Sequence, residues 1–260
     1  MKIGIITDIH ENVSMLREAI RMASVHRCDE LVCLGDIVGY DQRFYNFDTI
    51  RSAKSCLDLI RSNCRWIVAG NHDLYAAGRF PSYSNGFEYP PNWFKMDSEK
   101  RKSASRGKVW YYEREAPNDL DEDDISFLKS LPEYIAPSYY SIGCLFSHYL
   151  FPDFSGSTTR YIERNQQLKG HWEFMNLSKI KLSFSGHSHT HFTGFGYQQK
   201  INGAGSFLKA IHSVPSENFT LDDEMVVILL PPLAGEKGRT GFSIIDLDSM
   251  KLNIISTNIM

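Results

Sequence analysis

Five short polar clusters punctuate this sequence in a fixed order: Asp8-x-His10, Gly35-Asp36, Gly70-Asn71-His72-Asp73, Ser147-His148 and Gly186-His187-Ser188-His189. Each follows an apolar run of the kind that forms a buried strand. Together they offer carboxylate, imidazole and amide donors from separate strand ends. A packed core has no use for such a set, whereas two adjacent divalent ions need that mixture of ligands. Residues two apart at a strand end point the same way, so Asp8 with His10, and His187 with His189, can each reach one ion together. Asp36 has two oxygens and can bridge a pair of ions. Asn71 offers a neutral oxygen, a poor ligand for structural zinc but acceptable at a hydrolytic centre. Singly, each motif has a plainer reading: Asp8-x-His10 as a solvated strand end, Asp36 as a helix cap, His148 as a half-buried histidine bonded to a carbonyl. Their joint occurrence carries the chemistry.

The elements that must position these clusters are legible in the apolar periodicity. Residues 3–7 read as a strand, and Asn12 caps a helix with Val13, Leu16, Ile20 and Ala23 on one face. A strand at 31–34, a helix at 47–62 and a strand at 66–69 follow. This βαβαβ order implies parallel strands with right-handed crossovers, and ligands gather beyond the carboxyl ends of such strands, where Asp8, Asp36 and Asn71 fall. A helix at 121–131 starts on acidic residues and stops at Pro132. Strands at 142–146 and 181–185 lead into His148 and Gly186. The last third is strand-rich, at 192–197, 225–230, 242–247 and 252–256, with a hairpin turn at 246–249. A second, more antiparallel sheet is expected there.

Residues 74–117 break the pattern with Pro81, Pro90 and Pro91, many aromatics and a basic run. The stretch is too long for a simple connection, so an insertion or cap is expected on a single domain covering 1–260. Tyr75, Phe80, Tyr83, Phe87, Tyr89, Trp93 and Phe94 can stack on a base, and Lys100, Arg101, Lys102, Arg106 and Lys108 can meet phosphates. The plainer alternative is a small local core under a solvated basic face. Arg160 and Arg164, read onto a helix, together with His171, Trp172 and His191, are further candidate substrate contacts.

Composition bounds the partners. Of 260 residues, 42% are hydrophobic and 23% charged, and no apolar stretch is long enough to cross a bilayer, so no membrane partner is expected. A net charge of -3 gives no global pull toward nucleic acid or anionic lipid. Five scattered cysteines, at 28, 33, 56, 64 and 144, form neither a zinc knot nor a disulfide framework and suit a reducing compartment. The apolar run at 3–7 is too short for a signal peptide, which makes the cytoplasm the expected location.

In their order and spacing the five motifs resemble the calcineurin-like metallophosphoesterase superfamily, whose pattern is Asp-x-His, Gly-Asp, Gly-Asn-His-Asp/Glu, a lone His and Gly-His-x-His. The resemblance spans residues 8–189. It implies an α/β fold, a four-layer α/β/β/α sandwich of two mixed sheets flanked by helices. It also implies phosphoester hydrolysis at a dinuclear centre of Mn, Fe, Zn, Ni or Co, with a hydroxide between the ions attacking phosphorus. By the same resemblance Asp8, His10 and His189 hold one ion, Asn71, His148 and His187 hold the other, and Asp36 bridges them. His72 matches the family's catalytic histidine, expected to protonate the leaving oxygen, and Asp73 is expected to orient its ring.

The branch within the superfamily is narrowed by a departure. Related protein phosphatases and diadenosine tetraphosphatases carry Asp-Arg-Gly after Gly-Asp. Here Ile37-Val38-Gly39-Tyr40 follows instead, which is similar to small prokaryotic phosphodiesterase-like members. Many of those carry Asn-Pro-Gly-Ser after the last histidines, where this chain has Asn202-Gly203-Ala204-Gly205-Ser206. The expected substrate is a small-molecule or nucleotide phosphoester, as a phosphodiesterase or phosphatase would take. A nuclease acting on DNA or RNA and a non-catalytic scaffold binding a protein partner are the alternatives. The presence of His72 speaks against the scaffold, because family members of that kind usually have eroded motifs there.

Overall fold

Side chains along β1 (Lys2–Ile6) alternate between two apolar environments, Ile3 and Ile5 facing one and Ile6 the other. β2 (Glu30–Cys33) repeats the alternation, with Val32 in the first environment and Leu31 and Cys33 in the second. Strands buried on both faces belong to a sheet covered on both sides. One cover is helical: Ile6, Leu31 and Cys33 pack with Leu16 and Ala19 of α1 (Val13–Val25) and Leu57 and Ile60 of α2 (Ala53–Asn63). The other is a second sheet, which meets Ile3, Ile5 and Val32 through Phe146, Phe184 and Ile228. The far face of that second sheet, through Leu145, Val227 and Leu229, packs on Trp172 and Met175 of α6 (Lys169–Leu177). Three cores between four layers make the α/β/β/α sandwich anticipated from the motifs. The computed structural model describes residues 1–45, 51–162, 165–189, 192–197, 211–212, 216–221, 225–235 and 240–256.

In the first sheet β1 and β2 are parallel to each other and to β3 (Trp66–Ile67), while β12 (Gly241–Asp246) lies antiparallel on the other side of β1. Beyond β12 come β13 (Lys251–Ser256) and β10 (Ser216–Thr220). In the second sheet β6 (Ile142–Ser147), β7 (Leu182–Ser185) and β11 (Val226–Leu229) are parallel. It is completed by the antiparallel β4 (Tyr134–Ile135), β5 (Ser138–Tyr139), β8 (Phe192–Tyr197) and β9 (Ile211–His212). The expectation that the C-terminal third builds a second, more antiparallel sheet holds for β8, β9 and β11, but β10 and the β12–β13 hairpin extend the N-terminal sheet instead. β12 is apolar on both faces, with Phe242 and Ile244 toward the helices and Ile245 toward the second sheet, so it needs a doubly covered place beside β1.

Helix starts follow their caps. Asn12 accepts from the Met15 amide to begin α1, as anticipated. α2 begins at Ala53 on a Ser52 cap, later than expected, and residues 46–50 of the expected helix lie outside the described residues. Asp121 and Asp124 form a reciprocal capping box at the start of α5 (Glu122–Ser130).

The aromatics of 74–117 pack on one another. Phe80 stacks on Tyr89 and on Phe94, both at 4.8 Å, and Phe87 and Tyr89 meet the buried Trp93 edge-on. Arg101 is buried, with its guanidinium 5.0 Å from the Tyr75 ring and bonded to the Tyr75 hydroxyl. These side chains therefore form a local core rather than a base-stacking face, because a segment without long elements buries its rings against each other. Among the described residues no helix is long and apolar enough to cross a membrane. The five cysteines are free, and three of them, Cys33, Cys56 and Cys144, are buried.

Candidate metal centre

The loops leaving β1, β2, β3, β6 and β7 carry the polar clusters. Those after β1 and β2 keep exchanging backbone hydrogen bonds beyond the strands: the amides of Asp8, His10 and Glu11 donate to the carbonyls of Gly35, Asp36 and Ile37. This pairing sets Asp8 and His10 against Asp36. The Gly186 amide donates to the His148 carbonyl, and the Ala234 amide to that of Asp8, which joins the two sheets' loops into one floor. Asp8, His10, Asp36, His187 and His189 all have φ between 44° and 62°. Non-glycine residues rarely adopt this left-handed conformation, and its concentration in one place is the mark of a functional site.

Gly186 permits the closest approach. A Cβ there would fall on Thr7 Oγ1 and Asp8 Oδ2, which the Thr7 hydroxyl and the His187 amide already bond at 2.8 and 3.1 Å. Gly186→Ala is expected to destabilise the fold by about 1–3 kcal/mol through this overpacking and to weaken metal uptake by displacing Asp8. Thermal melts with and without manganese read both effects.

The side chains fall into two groups that share Asp36. Asp8, His10, Asp36 and His189 form one, Asp36, His148 and His187 the other, and within each group the donor atoms lie within 4.8 Å of one another. Asp36 Oδ2 is 3.0 Å from His148 Nε2 and 3.8 Å from His10 Nε2, and Asp8 Oδ1 is 3.1 Å from His189 Nε2. His10 Nδ1 bonds the Gly39 carbonyl at 2.8 Å and His148 Nδ1 the Leu34 carbonyl at 2.9 Å. A carbonyl only accepts, so each Nδ1 is the protonated nitrogen. In the neutral rings Nε2 then aims a lone pair at the carboxylates.

These groups are arranged for a cation rather than for each other. His10 and His189 face Nε2 to Nε2 at 3.2 Å, and His148 Nε2 faces His187 Nδ1 at the same distance. Asn71 Oδ1 and His187 Nε2 are buried without a hydrogen-bond partner, and Asp8 Oδ1 has only His189 Nε2 at 3.1 Å. Each such orphan costs roughly 1–3 kcal/mol in a fold with nothing to bind there. Oxygen and imidazole donors in this mixture fit manganese, iron, zinc, nickel or cobalt.

Burial drives His10 and His187 down to about 3, so both rings are neutral, the form that ligates a metal. Burial also opposes charge on His148, but Asp36 and Asp8 outweigh it and raise the ring to about 9. For the carboxylates the balance is reversed. Burial favours their neutral forms, yet His189 and His148 hold Asp8, and His148 and His72 hold Asp36, below the usual carboxylate range.

His72 lies in the first turn of α3 (Asn71–Ala76), with its amide donating to Asp36 Oδ1 at 2.9 Å. Its ring Nδ1 is bonded to Glu115. Burial disfavours a charged His72, but Asp36 and Glu115 raise it to about 10. The anticipated partner, Asp73, is committed elsewhere: its carboxylate accepts from the amides of Ile37 (2.9 Å), Val38 (3.2 Å) and Gly70 (3.0 Å). Asp73 therefore clamps the loops after β2 and β3, and Glu115 is the group that meets the ring, which corrects the expectation for Asp73. Glu115 sits in no motif, and it arrives through an isolated antiparallel bridge between Glu115 and Asp41.

Over the two groups opens a cavity of about 520 Å³ lined by Phe44, Tyr45, Trp110, Tyr111, Tyr112 and Tyr161 as well as Asp36, Asn71, His72, His187 and His189. Residues 1–191 match the family model of the calcineurin-like phosphoesterases. The chain belongs to this family. A curated relative, the uncharacterised protein MJ0912 of Methanocaldococcus jannaschii, is 26% identical over 170 residues, 61% of this chain, and the match covers 58% of that relative's length. A metallophosphoesterase structure from Sphaerobacter thermophilus superposes with a TM-score of 0.65 at 19% identity, covering 99% of this chain and 88% of the other. Protein PH1004 of Pyrococcus horikoshii OT3 gives 0.58 at 13% identity, covering 100% and 88%. Both likenesses speak to the fold.

Of the seven expected ligand residues, Asp8, His10, Asp36, His148, His187 and His189 make up the two groups and Asn71 lines the cavity over them, whereas the expected substrate residues His171 and Arg160 lie elsewhere. His171 is buried in α6, its Nδ1 accepting from the Phe151 amide at 2.9 Å and its Nε2 bonded to Ser183 Oγ at 3.0 Å. With both nitrogens satisfied in the core, and Trp172 buried beside it, it is a packing histidine and corrects the substrate expectation. Arg160 is exposed in an irregular segment, not on the expected helix, and is not among the cavity-lining residues. Arg164, His191 and residues 202–206 lie outside the described residues. The residues that sequence reasoning missed are the cavity's own walls. Arg43 lies in this wall, with its guanidinium bonded to Asp41 at 2.5–3.0 Å and to Glu113 at 3.4 Å.

Proposed function

We propose that this chain hydrolyses small phosphoesters, phosphodiesters foremost, at a centre of two divalent ions. Asp8, His10 and His189 would hold one ion, Asn71, His148 and His187 the other, and Asp36 both. The observation that carries the reading is the pair of ligand groups sharing Asp36, with Asn71 Oδ1 and His187 Nε2 buried and unsatisfied in the same cavity. Two bound divalent ions supply charge neutralisation at a phosphate and acidify water at neutral pH. The chain's own residues do the rest. Asp8 and Asp36 stay ionised to hold positive charge, and the carbonyls of Gly39 and Leu34 fix the tautomers of His10 and His148. His72, backed by Glu115, is the proton donor to the leaving oxygen.

The test is turnover of bis(p-nitrophenyl) phosphate and p-nitrophenyl phosphate by the purified protein in manganese, before and after chelation, with metal content measured. Turnover that is lost on chelation and restored by metal, with the diester preferred, is expected. Two bound ions without turnover of any ester would overturn the hydrolase in favour of the scaffold.

A further inference from the structure

Each ligand group has a tyrosine lying against one of its histidines. Tyr45 stacks on His10 at 4.6 Å and 26°, and Tyr161 stacks on His187 at 5.6 Å and 17°. Beside Tyr45 stands Phe44, 68% exposed, with the Arg43 guanidinium 5.2 Å over its ring. Beside Tyr161, which is 42% exposed, stands Trp110, its ring held by a 3.1 Å bond from Nε1 to the Gly156 carbonyl. Large rings left this open are unexplained by packing, and here both line one cavity. Phe44 and Tyr161 each have one face covered from within the protein, by Arg43 and by His187, so little side-chain entropy is lost when a ligand takes the other.

The wall of this cavity is also acidic. Asp41, Glu113 and Glu115 line it, and Arg43, the single Lys or Arg among the described lining residues, is already bonded to two of these carboxylates. A second phosphate would meet carboxylates there. An uncharged planar group would meet faces built for stacking, and base-on-aromatic stacking strengthens binding by roughly tenfold per base. The volume of about 520 Å³ lies within the range of small-molecule sites and is too confined for a folded nucleic acid.

We infer that the Phe44 and the Trp110–Tyr161 shelves take the two ester arms of a small phosphodiester that carries one negative charge and an uncharged planar group of the nucleoside class on each arm. This rests on the phosphoesterase reading and deepens it. The experiment compares kcat/KM in manganese for methyl p-nitrophenyl phosphate, thymidine 5′-(p-nitrophenyl) phosphate, a dinucleoside monophosphate and a single-stranded oligothymidylate.

The thymidine ester is expected to exceed the methyl ester by about tenfold or more. Phe44→Ala should lower the thymidine ester about tenfold more than the methyl ester, and Phe44→Trp should keep the preference. Equal values for the two esters in the wild type, or an unaltered preference in Phe44→Ala, overturn the inference. Faster cleavage per linkage of the oligothymidylate than of the dinucleoside monophosphate overturns it in favour of a nuclease. Absence of turnover with every ester would instead defeat the phosphoesterase reading. The shelves are then decided by tryptophan fluorescence: saturable quenching by the dinucleoside monophosphate that Phe44→Ala weakens supports them, and no quenching overturns them.

Discussion

Asp36→Asn is expected to lower phosphodiester turnover by about a thousandfold or more while leaving the fold intact. The substitution is isosteric, and its remaining oxygen can still accept from the His72 amide, now 2.9 Å from Asp36 Oδ1. Its new amide would face His148 Nε2, 3.0 Å from Asp36 Oδ2, and can donate to it. What disappears is the one charge that both ligand groups share. Loss of several kcal/mol of electrostatic stabilisation is a factor of about a thousand in rate. The measurement is kcat with metal content and melting temperature on the same samples. Manganese at about a hundred times its dissociation constant stabilises the wild type by roughly 2.7 kcal/mol, a rise of several degrees for a chain of this size. The variant should melt no lower than the metal-free wild type and gain little from manganese. Most activity retained, with a normal metal-induced rise, would end the shared-carboxylate reading.

The proposed ligand set was legible because strand ends are the easiest boundaries to find in an α/β sequence. Asp8 and Asp36 follow runs whose burial on both faces leaves no other assignment, and the residues after them have one direction in which to point. His148 and His187 were placed by the same argument, although they belong to the other sheet. Local pattern fails where a residue's partner comes from a distant part of the chain. The β12–β13 hairpin was read correctly as a hairpin, but its place beside β1 depends on which edge of which sheet was free. Asp73 and Glu115 could not be told apart by sequence, since the nearer carboxylate is taken by three backbone amides and the distant one reaches the ring. His171 looked like a site residue by type alone, and its neighbours Phe151 and Ser183 make it a core residue. The aromatics of 74–117 divide in the same way: Phe80, Phe87 and Trp93 close on themselves, while Trp110 and Tyr112 from the end of that segment reach the cavity.

His72 and Glu115 carry the second large effect, and it is best measured as a cycle. His72→Ala is expected to lower kcat by about 100- to 10,000-fold, the usual contribution of a positioned general acid. The loss should be small for a substrate with a good leaving group, because p-nitrophenolate departs with little need of a proton, and full for an alkyl or nucleoside leaving group. Glu115→Gln keeps the shape of the side chain and a donor or acceptor for His72 Nδ1, but removes the charge that favours the protonated ring. Its own loss should be about tenfold. Glu115 acts only through the ring it holds, so adding Glu115→Gln to His72→Ala should change kcat no further. Additive losses would mean that Glu115 contacts the substrate directly from its place in the cavity wall. An unaffected kcat in His72→Ala with a poor leaving group would remove the proton donor from this site and leave departure of the ester oxygen to the metal ions alone.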